Sequence, residues 1–560
     1  MAHIRWISST LQSYAEDGRP AHGYLGPDGR TTALSRAELL ASVRRSAGGL
    51  IAAGLGPGDR VALVAGDPGP FISAFLGAVW AGLVPVPMAP PPPLGRCDLW
   101  RAALDEGLKV AEPKVVVAAE AELPLLSGAS AHPLSYGALA AAEEPGPEDP
   151  VRFRADRIMY LQFSSGSTGR PRAVAATAGS VAANAAAAMR HVLTPDTDDH
   201  AVSWLPLHHD LGLVGFVLAP LATGTPTTYL PPKAFIRDPG IWMRTMSQVK
   251  GTITFAPNFA FGLAARHARP EQLSGLDLSR VRVLGCGGEP VNPATLHRFT
   301  GAYATAGLDP STLLPCYGLA ESTVAVTFAP RGSGARSDKV SRAALREAGR
   351  AVAAADGEDH LEVVNCGRPI PGHEVAVVDA TGVRCPDRSV GEIWVRGPSV
   401  AAGYVADAEA TARTFQQDGW LRTGDRGYLA DGELRVTGRL KDLLVVNGRN
   451  TDPSCVEWLV EELDGVRPGG VVAFTRPGQD TEQVVVVAEC RPDAVPGLER
   501  AVRSLVGERL ALSVSEVVAA GPGTILRTTS GKPRRQELRR RYLAGQLTAT
   551  ARPTEMRATP

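Results

Sequence analysis

The stretch "LQFSSGSTGRPRAV" (Leu161–Val174) places Ser164, Ser165, Gly166, Ser167, Thr168 and Gly169 directly after the apolar run "RIMYLQF". Backbone N–H groups in a Gly-rich turn can converge on a phosphate, and Ser/Thr hydroxyls add donors. The GxxxxGK[ST] spacing of a Walker A loop is absent, and taken alone the stretch reads equally as a plain turn. The seven cysteines (97, 286, 316, 366, 385, 455 and 490) include no CxxC pair. They therefore suggest neither a zinc site nor a disulfide framework, and read as small core residues. The arginines at 534, 535, 539, 540 and 541 read as the solvated face of a C-terminal helix.

The elements that must position such a loop are legible as a rhythm. "RVALVAG", "VPVPM", "KVVVAAE", "RIMYLQF", "HAVSWLPL", "TPTTYLPP", "GTITFAP" and "RVRVLGCGG" are short apolar strands, most of them separated by helical lengths such as "PFISAFLGAVWAGL". This βα alternation predicts α/β layers with parallel sheet. "MAPPPPLG" reads as a stiff surface connector. Around "HEVAVVDATGVRCPDRSVGEIWVRG" the pattern becomes strand–turn–strand, a smaller β unit. After "GRLKD" (438–442) a new α+β block begins. The expected organisation is an N-terminal domain over 1–439, with a β subdomain at about 366–439 and a mobile C-terminal domain over 440–547. A disordered tail is expected over 548–560.

The 560 residues carry 58 Lys+Arg against 58 Asp+Glu, which leaves no basic footprint for nucleic acid or an anionic membrane. At 44% hydrophobic and 21% charged the composition is that of an ordinary globular protein. No apolar run approaches a membrane span or a signal core, so neither insertion nor export is expected. A reducing, cytoplasmic setting fits the cysteine usage.

"SSGSTGRPR" resembles the phosphate loop of the adenylate-forming superfamily, and five further motifs follow in that superfamily's order. "GCGGEP" (285–290) resembles its adenine loop. "YGLAES" (317–322) is similar to its aromatic–Gly–x–x–Glu motif, "RTGD" (422–425) to its ribose motif, and "GRLKD" to its hinge. "TTSGKPRR" (528–535) resembles the segment with its C-terminal lysine. The resemblance spans residues 39–547 or so. It implies ATP and Mg²⁺ as cofactors. Ser164–Gly169 and Arg172 would hold phosphates. Gly287, Gly288, Glu289, Pro290, Tyr317 and Gly318 would frame the adenine, with Tyr317 stacked on it. Asp425 would accept from the ribose hydroxyls and Arg439 would help hold the nucleotide. Glu321 would bind Mg²⁺, and Lys532 would stabilise charge as a carboxylate attacks the α-phosphate. Each of Glu321, Asp425 and Lys532 alone has a bland reading, as a helix cap, a turn-former and an exposed lysine. The ordered set argues against those readings.

Within the superfamily, "SWLPLHHDLGLVGFVLAPLATGTPTTYLPPKAF" (203–235), "PNFAF" and Ala320 resemble the fatty acyl-AMP ligase branch. That likeness implies a catalytic role for His209 and an acid pocket near Gly212, Gly215, Phe216, Asn258 and Phe259. Phe261 is added for an apolar acyl or ring-bearing acid, with plain core packing as the alternative. Residues 330–365 resemble the insertion of that branch, which is thought to disfavour CoA and leave an acyl carrier protein as acceptor. "SRAALREAGRAVA" within it reads as a helix. Lys441 falls at the expected hinge, about which the loop at Asn447–Asn450 would swing to the thiol. Departures stand at Arg172 and Ala173, where the motif usually has Lys and Gly, at Ala178 and His208, and at Thr451–Asp452. These leave adenylation in place and put the acceptor and the acid in question. The rivals are an acyl- or aryl-CoA ligase with CoA as acceptor, and a non-catalytic binding relative.

Overall fold

A computed structural model of the protein describes residues 3–547 except 5, 27, 93–96, 144, 165–170, 194–197, 447–448, 479–481 and 528–531. The tip of the phosphate loop, part of the proline-rich connector, Asn447 and the tail expected to be disordered lie outside the described residues.

A nine-stranded sheet forms the centre, in the order Arg368–Pro369, Ala325–Phe328, Leu313–Gly318, Val283–Cys286, Ile253–Ala256, Ala201–Ser203, Thr227–Tyr229, Pro20–Leu25, Thr31–Ser35. Its middle is parallel, as the βα rhythm implies. Its two ends are antiparallel: short links allow hairpins at Leu313–Gly318 with Ala325–Phe328 and at Pro20–Leu25 with Thr31–Ser35, whereas Arg368–Pro369 returns only after the long 330–365 segment. A second, wholly parallel sheet runs Val84–Met88, Arg60–Val64, Val115–Ala118, His132–Ser135. Apolar and β-branched residues fill the inner strands of both sheets, where helices cover both faces and every side chain is buried, as in Val115–Ala118, Ile253–Ala256 and Val283–Cys286.

Ile158–Ser164 and Arg172–Thr177 form an antiparallel pair. A strand thus stands between the Gly/Ser/Thr loop and the following helix, Ala178–Val192, which Thr177 caps by accepting from Ser180 N–H. Alanines let this helix lie close to the sheet. Its buried Asn184 donates to the carbonyls of Ser322 (3.2 Å) and Ala325 (2.8 Å) and accepts from Ala325 N–H (3.2 Å). One amide therefore satisfies the backbone of the turn just after Glu321.

The β subdomain is an antiparallel sheet of Glu374–Val378, Gly391–Arg396, Trp420–Ala430 and Glu433–Arg439. Residues 330–365 contain an antiparallel pair, Ser337–Ser341 with His360–Val364, and a helix only over Arg342–Ala348. The expected helix to Ala353 stops early because Gly349 turns left-handed at φ 61°. A polar network, buried at Tyr428, Arg435 and Glu433 and open at Arg336, ties this segment to the β subdomain. Tyr428 donates to Asp338 (3.1 Å), the Arg435 guanidinium lies 3.2 Å from the same carboxylate, and Arg336 pairs with Glu433 (3.0 Å).

After residue 443 the chain builds a separate apolar core on a three-stranded sheet, Val466–Arg476, Gln483–Cys490 and Val514–Ala520. The helix Arg535–Leu543 packs Leu538 against its other face. Cys286, Cys366 and Cys490 are buried as expected, whereas Cys97 is exposed. No helix among the described residues is long and apolar enough to cross a membrane.

Asn184→Ala is expected to lower unfolding free energy by about 2 kcal/mol, since two carbonyls and an N–H lose a buried partner. Chemical denaturation of both proteins checks this.

Candidate functional site

The parallel strands of the central sheet end together, and ligands of such sheets lie beyond those carboxyl ends. There, a cavity of about 1250 Å³ runs between the central sheet, the β subdomain and the C-terminal block. It is lined by Ser164, Arg172, His209, Gly215, Phe216, Asn258, Phe259, Gly287, Gly288, Glu289, Pro290, Tyr317, Gly318, Glu321, Asp425, Arg439, Lys441 and Lys532. Gly212 is not on its wall; a Cβ there would overlap the Pro206 carbonyl, so its smallness serves packing. Phe261 is likewise off the wall, stacked edge-on to Trp242 and Phe299 in the core. Ser165, Gly166, Ser167, Thr168 and Gly169 lie outside the described residues.

Asp425 is 5% exposed and sits in the strand Trp420–Ala430, opposite Arg439. Its Oδ2 accepts from the Tyr317 hydroxyl (2.7 Å) and its Oδ1 pairs with Arg439 Nε (2.9 Å). Asp425 N–H donates to Thr423 Oγ1 (3.0 Å). Burial and the Asp425 charge push the Tyr317 phenol far above its usual range, so it stays a neutral donor.

Glu321 lies in a short turn, Ala320–Ser322, that follows the strand carrying Tyr317. The next residue, Thr323, is at φ 67°, an unusual conformation for a β-branched residue. Its hydroxyl donates to the Ser399 carbonyl (2.7 Å), which holds the turn in place. Glu321 Oε1 accepts from the Tyr404 hydroxyl (2.9 Å) and Ser164 Oγ (3.3 Å). Arg172 lies over the Tyr404 ring at 5.2 Å, with Asp407 3.6 Å from its Nε. The planar guanidinium can stack this way where an ammonium would sit as a point charge. Tyr404 and Thr323 went unnoticed in the sequence, since neither belongs to a recognisable motif.

The loop after Val283–Cys286 needs its glycines. A Cβ on Gly287 would meet Cys316 Sγ and carbonyl, and Gly288 is at φ 80°. Glu289 Oε1 accepts from Phe259 N–H (2.7 Å) and Asn258 Oδ1 from Asn292 N–H (3.0 Å), so this loop and the "PNF" turn are locked together. Burial raises Glu289, partly offset by that N–H and by Lys532.

Lys532 enters the cavity from the C-terminal block. Burial and Arg439 lower its pKa, while Asp210, Glu289 and Asp425 pull it back up. His209 is held well below its usual range by burial, His208 and Lys532, so its imidazole is neutral near pH 7. Lys441 sits in the turn Leu440–Asp442, its pKa lowered by burial and Arg439. Beside it Gly438, at φ 142°, faces Asp452, whose carboxylate caps the helix Pro453–Val460 through Ser454 N–H (2.9 Å). Asp452, unusual for the motif, thus has a structural task.

The donors suit a nucleotide and its counter-ion. A single carboxylate, Glu321, beside Ser164 at a strand end matches the small protein share that Mg²⁺ takes when substrate oxygens and water fill its other positions. Among the described residues no cluster of three or more His, Cys, Asp or Glu competes for such an ion.

A buried carboxylate, an aromatic wall and convergent cations at strand carboxyl ends suit a nucleotide-using ligase of the adenylate-forming class. Residues 12–405 match the model of the AMP-binding enzymes, and the chain belongs to that family. It is similar to a Caulobacter vibrioides protein provisionally named an acyl-CoA synthetase (36% identity; 89% of this chain, 88% of that one). It is also similar to the long-chain-fatty-acid–AMP ligase FadD26 of Mycobacterium marinum (34%; 87% of each). A solved structure from studies of fatty acyl-adenylate ligases of E. coli and L. pneumophila superposes with a TM-score of 0.91 at 34% identity, covering 97% of this chain and 99% of that one.

Asp425→Ala is expected to raise the Kd for AMP at least about tenfold, the scale of a lost charge-assisted bond. Titration calorimetry checks it, and an unchanged Kd would remove Asp425 from the nucleotide site.

Proposed function

We propose that the protein couples ATP to an apolar carboxylic acid, forming acyl-AMP and pyrophosphate, and then passes the acyl group to a phosphopantetheine thiol of an acyl carrier protein. The observation that carries this reading is Lys532, which reaches from the C-terminal block into the cavity that Glu321 and Asp425 line.

In the first step a carboxylate oxygen attacks the α-phosphorus and the bond to the bridging oxygen of pyrophosphate breaks. Two anions must meet, so cations and fixed dipoles carry the catalysis. Asp425 would hold the ribose hydroxyls while Arg439 and Tyr317 fix its orientation. Lys532 would neutralise charge between the carboxylate and the α-phosphate. Neutral His209 would bound the acid's carboxylate end without adding charge. Glu321 would hold Mg²⁺, which supplies neutralisation of the phosphate oxygens when bound. Gly215, Phe216 and Phe259 offer an apolar wall, continued by Val214, Phe255 and Phe328, and this supports a fatty or ring-bearing acid.

In the second step the thiol sulfur attacks the acyl carbonyl carbon, AMP leaves and the thiol proton passes to solvent. Residues 440–547 would turn about Lys441 between the steps, withdrawing Lys532. The name of the FadD26 relative supports an AMP ligase of this kind. The Caulobacter relative's name favours CoA as the acceptor, a second reading.

Incubation with ATP, Mg²⁺, CoA and a pool of fatty and cyclic acids is expected to yield acyl-AMP without acyl-CoA by mass spectrometry. Abundant acyl-CoA would reject the carrier-protein acceptor. Lys532→Ala is expected to slow acyl-AMP formation by about a hundredfold or more. Because its folded pKa lies below 10.5, Lys532 loses its proton at lower pH than a free lysine. The rate should therefore fall on an alkaline limb below that value. Lys532→Arg should shift the limb upward, and a limb unmoved by that change would assign it elsewhere.

A further inference from the structure

Lys532 is useful only if the chain around it is rigid with the rest of the C-terminal block. Two buried carboxylates meet that chain, one on each side. Upstream stands Glu489, 1% exposed, in the valine-rich strand Gln483–Cys490. Its Oε1 accepts from the backbone N–H groups of Gly523 and Ile525, each at 2.9 Å, and its Oε2 pairs with Arg467 (3.0 Å). Downstream stands Glu457, which accepts from Arg535 (2.8 and 3.0 Å) and from Ala473 N–H (2.9 Å). Between these anchors Arg534 N–H donates to the Leu526 carbonyl (2.7 Å), and Arg527 pairs with Pro533 in an antiparallel bridge. Lys532 therefore directly precedes Pro533, the bridge partner of Arg527, in a segment whose described flanks are both tied to the core.

A carboxylate is an expensive residue to bury in a strand whose neighbours are Val and Ala, unless its bonds are needed. Here both oxygens are used, and Oε1 is used on the backbone that leads to Lys532. We propose that Glu489 is a positioning residue for Lys532. It fixes the backbone of 523–525, and through the bond from Arg534 N–H to the Leu526 carbonyl the segment of Lys532, to the sheet so that domain placement alone delivers the ammonium. Glu457 does the same from the other flank. The inference rests on the adenylation reading above. It concerns neither substrate contact nor the thiol-transfer step, from which the proposed rotation would withdraw Lys532.

The test compares Glu489→Gln, Lys532→Ala and the double variant, using the acid of the pool that the wild type activates best. Gln keeps one acceptor oxygen but places an amide N–H₂ against Arg467. Glu489→Gln is expected to slow acyl-AMP formation about a hundredfold, as small misplacements of a catalytic group do. Transfer of supplied acyl-AMP to phosphopantetheine should stay at the wild-type rate. The double variant should form acyl-AMP no more slowly than Lys532→Ala. Equal slowing of both steps, or additive losses in the double variant, would overturn the proposal. Should Glu489→Gln fail to fold by circular dichroism, Glu457→Gln takes its place with the same expected pattern. A wild-type protein that forms no acyl-AMP would fail the adenylation reading itself and this inference with it.

Discussion

The pair between Asp425 and Arg439 stands where three parts of the chain meet. Asp425 and Arg439 face each other across neighbouring strands of the β subdomain. The hydroxyl on Asp425 comes from Tyr317, at the end of a central-sheet strand. Arg439 is the last residue before the turn that carries Lys441 and leads into the C-terminal block. A buried carboxylate is stable only when paired and hydrogen-bonded, so this one fixes the relation of sheet, subdomain and the turn Leu440–Asp442 while facing the cavity.

The same requirement recurs throughout the site. Glu321 is held by Tyr404 and Ser164, and Glu289 by Phe259 N–H. These hydrogen bonds leave the carboxylates oriented but not neutralised by arginine, which suits groups that must meet a nucleotide or a cation. Cations arrive from elsewhere: Arg172 stacked on Tyr404, Arg439 on its strand, and Lys532 from the far end of the chain. Burial and the neighbouring Arg439 already strain the lysine's charge. An anionic ligand would relieve that strain, and a lysine poised this way gains most when negative charge grows beside it.

Much of this was legible in the sequence because each motif is contiguous. Glu321, Asp425, Arg439 and the Gly287–Pro290 loop come together through strand ends, and the parallel core follows from the βα rhythm. Other features exist only in three dimensions. Tyr404 reaches Glu321 because its loop pairs with the strand Arg172–Thr177, through bonds such as Ala175 N–H to the Gly403 carbonyl. Phe216 and Phe261 look alike as letters; packing alone decides that one faces the cavity and the other the core. The antiparallel ends of the central sheet, one of them closed by Arg368–Pro369 from beyond the 330–365 segment, and the left-handed turn that stops the helix at Gly349 are not encoded in apolar periodicity. Glu489 is one acid in a run of valines, and its role follows from what the loop beyond it presents to the strand.

In the proposed first step a carboxylate oxygen attacks the α-phosphorus of ATP. The most direct measurement uses an acid labelled with oxygen-18 in its carboxylate, together with ATP and a phosphopantetheine thiol, followed by mass spectrometry of the nucleotide. AMP carrying one heavy oxygen, taken from the acid as the thioester forms, is the expected product. AMP without the label, or ADP as the nucleotide product, would contradict that step.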